Sequence, residues 1–461
     1  MLRSILYSLI LFACCSVILH AQKKEEAKPV DPMNSGAFSG IAFRSIGPAV
    51  TSGRISDFAV NPKNHSEYYV ASSSGGVWKT TNKGLTFSPI FDGEGSYSIG
   101  CVSLDPNNAS TVWVGSGENN NQRSVAYGDG VYKSEDGGKS WKNMGLKNSE
   151  HIAEIVVDPS DANIVYVAAY GPVWSEGGDR GVYKSTDGGN TWTCVKSVSA
   201  YTGCNDLVMD PRNPKILYAA FHQRMRKVFT YIGGGPESAI YKSTDGGANW
   251  KKLEGGLPSG DVGRMGLAIS PVNPDVLYTV VEAKDDKGGI YRSADKGSSW
   301  EKRNPFFTSG NYYQEIVCDP IDVNKIYITD TYYKVSTDGG KSVSNLGEIN
   351  KHIDNHCIWV DPTNGNHLLV GCDGGVYETY DHARSWEFKS NLPVTQFYKV
   401  STDNDLPFYH VHGGTQDNLS LGGPSRSTSA NGITNADWYV TSTGDGFETQ
   451  VDPKDPNIVY A

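Results

Sequence analysis

One phrase recurs along this chain and limits its fold more than any other feature. It is VYKSEDGGKSW at 131–141, VYKSTDGGNTW at 182–192, IYKSTDGGANW at 240–250 and IYRSADKGSSW at 290–300. Degenerate copies are VWKTTNKGLTF at 77–87, STDGGKSV at 336–343 and VYETYDHARSW at 376–386. The Asp or Asn of each copy falls at 82, 136, 187, 245, 295, 338 and 381, so successive copies lie 43 to 58 residues apart. A second phrase precedes each copy: an apolar strand, Asp-Pro or a variant of it, then another apolar strand. LVMDPRNPKILYAA at 207–220 is an example. Every unit thus holds four short strands, a to d. Units of about 40–60 residues with four strands each are the mark of propeller blades. The fold expected is all-β, a β-propeller of four-stranded blades. A seven-bladed first ring followed by the start of a second is the first choice, and one larger ring is the alternative.

The recurring phrase makes chemical sense as the c–d turn. Its Asp can accept hydrogen bonds from nearby backbone N–H groups, as in an Asx-turn. The following glycines can take positive φ without a Cβ clash. The closing Trp returns to the blade as an apolar anchor. Asp136, Asp187, Asp245, Asp295, Asp338 and Asp381 are therefore expected to be structural rather than catalytic.

The ends set the context. Arg3 and the apolar run from Ile5 to Leu19 read as an export signal over residues 1–21, too short for a comfortable bilayer span. Residues 22–36 are charged and Pro-containing and read as a flexible lead-in. Residues 37–392 are expected to form the first propeller. Residues 393–461 read as the start of a second one, or as continuing blades, cut short at Ala461. FRSIGP at 43–48 resembles a fourth strand and is expected to complete a blade begun later in the chain.

The protein is expected to be exported to the periplasm, cell surface or exterior, and not to be an integral membrane protein once the signal is removed. A net charge of −10 argues against a nucleic-acid partner, which would need a basic face. Beyond the signal there are six cysteines. Cys101, Cys318 and Cys357 lie in apolar strand patterns and read as buried thiols. Cys194 and Cys204 are the pair close enough in sequence to consider for a disulfide. No zinc spacing, phosphate loop or nucleophile elbow occurs, so no metal and no cofactor is expected.

Antiparallel strands place the a–b and c–d turns on one face and the b–c and d–a loops on the other. The long irregular loops all belong to the second face, where binding usually sits. Candidate carboxylates there are Asp354, Asp373, Asp417 and Asp445. Candidate ligand-binding residues are Glu118, Asn119, Arg224, His356 and Gln416. If the ring closes, the carboxylates should meet at the mouth of the channel, and at least one should resist ionisation.

The repeat resembles the Asp box, or bacterial neuraminidase repeat. GPAVTSGRISDFAVNP (47–62), GSGENNNQRSVAYGDGVYKS (115–134), NLPVTQFYKV (391–400) and GGTQDNLSLGGPSR (413–426) are similar to exported bacterial proteins of the sortilin N-terminal domain or glycosyl hydrolase-like group. That resemblance implies a secreted propeller that binds a glycan or a peptide on its b–c/d–a face. The alternative it implies is a glycoside hydrolase with paired carboxylates on the same face. Sialidase chemistry lacks support, since no arginine cluster is evident at the strand starts.

Overall fold

The structure is a computed structural model that describes residues 36, 40, 41, 43–122 and 125–461. The expected signal, and the lead-in up to residue 35, lie outside the described residues. The chain divides into two compact units, Met1–Ser45 and Ile46–Ala461. The second carries every element below.

Eight four-stranded antiparallel sheets follow one another, each in the order a-b-c-d. Among the described residues, helix is confined to single 3-10 turns such as Lys147–Ser149. The a strands of the first seven sheets are Ile55–Val60, Ile99–Leu104, Ile152–Val157, Thr202–Met209, Val262–Ile269, Ile316–Cys318 and Asn355–Val360. In each blade strand a is innermost and lines the central channel. A fully buried Val, Leu or Ile contributes about 1.5–3 kcal/mol, and the packing between neighbouring blades repeats this contribution around the ring.

The ring closes between its seventh and first blades. Ile55, Tyr68 and Val70 of blade 1 pack with Cys357, Leu369 and Val376 of blade 7 in one buried cluster. Closure at seven blades rules out the single larger ring. Blade 7 supplies all four of its own strands, ending with Glu387–Phe388. The strand expected at 43–48 is absent. Instead the backbone at Ile46 and Ala49 is held by the segment leading into the last strand of the eighth sheet. Trp438 Nε1 donates to the Ile46 carbonyl at 3.1 Å, and Ala49 N–H donates to Asn435 Oδ1 at 2.9 Å.

The c–d turns have the chemistry their residues imply. Asp187 Oδ1 accepts from Thr191 N–H at 2.9 Å and Oδ2 from the Thr191 hydroxyl at 2.7 Å. The Ser185 hydroxyl donates to Asp187 and accepts from Gly189 N–H, each at 2.8 Å. Gly189 sits at φ 91°, and a Cβ there would meet the Trp113 ring at 2.6 Å. The turn therefore packs directly on the preceding blade. Trp192 ties the same two blades, donating from Nε1 to the Met144 carbonyl at 2.8 Å.

Beyond the ring, the eighth sheet comprises Phe397–Thr402, His410–Thr415, Ser420–Pro424 and Tyr439–Ser442, and a strand pair follows at 450–460. All six described cysteines are free, and all but Cys194 are buried. Cys194 and Cys204 are not paired. Among the described residues no helix is long and apolar enough to cross a membrane.

Candidate functional site

Three carboxylates from two sheets come together on the b–c/d–a face. Asp354 precedes strand a of blade 7, Asp373 occupies that blade's two-residue b–c turn, and Asp417 lies in the b–c turn of the eighth sheet. One oxygen from each lies within 4.8 Å of the others, a spacing that a cation could bridge. Asp445 joins them by accepting from Asp417 N–H at 2.9 Å. Asp354 and Asp417 both adopt left-handed backbone, with φ of 64° and 60°. Asp tolerates that region better than most residues.

Their surroundings set the carboxylates apart. Asp373 is buried, and Arg54, immediately before strand a of blade 1, grips it with two prongs. Nε–Oδ1 is 2.7 Å and Nη2–Oδ2 is 3.0 Å. His356 Nε2 lies 2.8 Å from the same Oδ1. Burial works to raise this carboxyl, but Arg54 and His356 overcome it and hold it well below the usual range. Asp417 is exposed on one side. Partial burial, then Asp445, and then the charges of Asp373 and Asp354 push it up to about 6. Asp354 Oδ1 accepts from the Tyr313 hydroxyl at 2.5 Å, and the Tyr313 ring stacks on His356 at 5.5 Å.

A narrow cleft of about 50 Å³ runs beside the cluster, lined by Arg54, Glu118, Gln122, Asp373, Tyr398 and Gln416. The Tyr398 hydroxyl donates to Gln416 Oε1 at 2.6 Å, and its ring stacks on Phe447 at 4.8 Å. Asn418 Nδ2 donates to the Asp373 carbonyl at 2.8 Å, which fixes the eighth sheet against blade 7.

The segment Glu118–Asn121 covers the inner end of the channel. Arg54 Nη1 donates to Glu118 Oε1 at 2.6 Å, Arg264 Nη2 to the Asn119 carbonyl at 3.2 Å, and Arg224 Nη1 to the Asn120 carbonyl at 2.6 Å. Arg226 Nε donates to the Asn121 carbonyl at 2.9 Å. A loop of blade 2 is thus clamped by arginines of blades 1, 4 and 5, and forms a plug between the cleft and the channel.

Of the sequence candidates, Glu118, Gln416 and Asp373 line the cleft, and His356 supports Asp373 from within the wall. Asn119 faces the channel. Arg224 is fully buried, with its guanidinium 3.2 Å above the Tyr170 ring. Burial lowers it to about 9. It holds backbone carbonyls rather than facing a ligand. Arg54, Arg264 and Tyr313 were not anticipated. Arg54 and Arg264 do sit at strand starts, contrary to the expectation that no arginines gather there, and their partners are protein groups. Arg54 is adjacent to an apolar strand on the loop face, which is the one signal that could have singled it out.

A family model described as "Sortilin, neurotensin receptor 3" matches residues 129–288. A xyloglucanase of Hypocrea jecorina is 21% identical over 248 residues, covering 48% of this chain and 28% of that protein. A xyloglucanase of Acetivibrio thermocellus is 25% identical over 225 residues, covering 42% of this chain and 24% of that protein. The chain thus spans about a quarter of the length of these curated relatives. The GH74 xyloglucanase of Xanthomonas campestris superposes with a TM-score of 0.59 at 16% identity, covering 81% of this chain and 59% of that one. The GH74 enzyme of Niastella koreensis gives 0.58 at 19%, covering 82% and 60%. At such identities the likeness is one of fold. The chain is a β-propeller protein.

Proposed function

We propose that this chain is an exported glycoside hydrolase that acts on a β-glucan of the xyloglucan class, with its chemistry at the Asp354–Asp373–Asp417 cluster. The observation that carries the proposal is the contrast between Asp417, raised to about 6, and Asp373, held ionised beside it. A glycosidase needs one protonated and one ionised carboxyl flanking the bond to be cut. Asp417, exposed and reluctant to ionise, is suited to protonate the leaving oxygen. Asp354, steadied by Tyr313, is suited to stand as the second carboxylate across the bond. Asp373, saturated by Arg54 and His356, is suited to maintain the negative field that keeps the proton on Asp417.

Oxygens within 4.8 Å of one another are nearer to the retaining arrangement, at about 5–5.5 Å, than to the inverting one, at about 6.5–9.5 Å. The names of the relatives favour this reading over a binding scaffold without turnover. The cleft beside the cluster is narrow, so the sugar would lie across the exposed side of Asp417 rather than inside it.

The test is reducing-sugar release from xyloglucan and related β-glucans, with NMR of the first-formed anomer. Asp417→Asn and Asp354→Asn should abolish release while the fold persists. Glycan binding with no release from any substrate would overturn the hydrolase in favour of the scaffold.

A further inference from the structure

The central channel is a second candidate binding site, on the far side of the plug. Its cavity is about 490 Å³. One position recurs in register around it, three residues before the last residue of each a strand. It holds Asp57, Glu154, Asp206 and Glu315 in blades 1, 3, 4 and 6, thiols in blades 2 and 7, and a glycine in blade 5. Asn119 of the plug marks one end, and Pro211 and Pro271 of the a–b turns mark the other. Between the acidic girdle and those prolines the wall is apolar, with Val208, Met209, Ile269 and Val317. The result is a blind channel, acidic in its depth and apolar toward its mouth.

Two further groups call for a ligand. Asn205 is 3% exposed and Tyr333 is 1% exposed, both line the channel, and neither Asn205 Oδ1 nor the Tyr333 hydroxyl has a hydrogen-bond partner. Among the described lining residues there is no lysine or arginine. Positive charge reaches the girdle through Arg264 Nη2, 3.1 Å from Glu315 Oε1. Among the described residues no three ligand atoms of the girdle lie within 4.8 Å of one another, so it is too wide to wrap a single bare metal ion. An ammonium group brings its own three donors and does not need a tight ligand shell.

We propose that the blind channel binds a primary alkylammonium ligand, its charged head among Asp57, Glu154, Asp206 and Asn205 and its chain along the apolar wall. Asp57 and Asp206 already accept from neighbouring strands, from Val102 N–H at 2.9 Å and Leu267 N–H at 2.8 Å, which orients them. Burial pushes both up to about 7, and the charge of Glu315 adds to the shift. Glu154 and Glu315 are raised as well, and Cys101 and Cys357 face the channel as neutral thiols. Arg264 and His356 stand beside Glu315 and oppose its shift. A cation favours the ionised girdle, so binding strengthens as pH rises through about 7.

The test is calorimetric titration of the whole chain with n-hexylamine at pH 6 and pH 8, with 1-hexanol as the uncharged control. Hexylamine should bind one to one, more tightly at pH 8, and hexanol should not bind. Asp57→Asn and Asp206→Asn should each weaken binding about tenfold or more, the scale of a lost charge-assisted hydrogen bond. Glu154→Gln is the substitute if either aspartate variant fails to fold, because Glu154 accepts from its own strand, at Ile155 N–H, where Asp57 and Asp206 accept from the next blade. Equal binding of hexanol, a flat pH response, or full affinity in the folded variants would each overturn the proposal.

Discussion

Arg54 and Asp373 form a two-pronged ion pair across the seam where the ring closes, at 2.7 and 3.0 Å, although 319 residues separate them in the chain. The same guanidinium reaches Glu118 at 2.6 Å. One side chain therefore joins the last blade to the first, anchors the plug and sets the charge of the carboxylate cluster.

Removing Arg54 should damage stability and site together. Arg54→Ala leaves Glu118 buried without its cation and Asp373 with His356 as its remaining cationic partner, and breaking a buried pair costs about 3–5 kcal/mol. Denaturant unfolding should report a loss on that scale. Arg54→Lys restores the charge but not the two-pronged geometry, and should recover only part of it.

The rate of hydrolysis should fall as pH rises through about 6, because Asp417 must carry its proton to act as the acid and loses it in that interval. A pH–rate profile checks the limb directly. Arg54→Lys, which weakens the hold on Asp373, should move it. A limb absent from the wild type would count against Asp417 as the acid.

The Asp-Gly-Gly turns should matter for stability and not for turnover. The Thr191 hydroxyl and N–H, with Ser185, lower Asp187 to about 2. A depressed carboxyl contributes stability above the unfolded value near 4, and that stability is lost as pH falls toward 2. Asp187→Ala should lower the melting temperature at pH 7 and leave glycan hydrolysis unchanged. Scanning calorimetry beside the sugar assay separates the two effects.

The channel girdle should have the opposite sign. Asp57 and Asp206 titrate near 7 in the folded chain and near 4 when unfolded, so the native state holds more protons between those values. Their contribution is fully present below about 4 and is lost as pH rises through 7. Asp57→Asn removes a titrating group but keeps an acceptor for Val102 N–H. Its melting temperature should decline less than that of the wild type between pH 5 and pH 8.

Much of the architecture is local and therefore legible in the sequence. The turn around Asp187 is complete within the residues from Ser185 to Trp192, and its bonds follow from which side chains can accept and where glycine permits positive φ. Repetition of that turn and of the Asp-Pro strand pair determines the four-stranded blades, and antiparallel alternation determines which loops share a face. The girdle follows the same register, since Asp57, Glu154, Asp206 and Glu315 each stand four residues before the Asn or Asp of an a–b turn, but the sequence alone did not single these residues out, because only ring closure turns them toward one another. What only the tertiary structure decided is which of these blades meet. FRSIGP carries a strand-like pattern, yet it pairs with no blade because blade 7 supplies its own outer strand. Arg224 looks like a basic loop residue, but its guanidinium is buried over Tyr170 because the loop of blade 2 folds across the ring to meet it. Asp373 and Asp417 are alike in sequence, each in a short b–c turn. Ring closure surrounds the first with Arg54 and His356, while the eighth sheet sets the second beside Asp445. Ionisation depends on burial and on the nearest charges, and those are set by tertiary contacts, across 319 positions for Arg54 with Asp373 and between separate loops for Asp417 with Asp445.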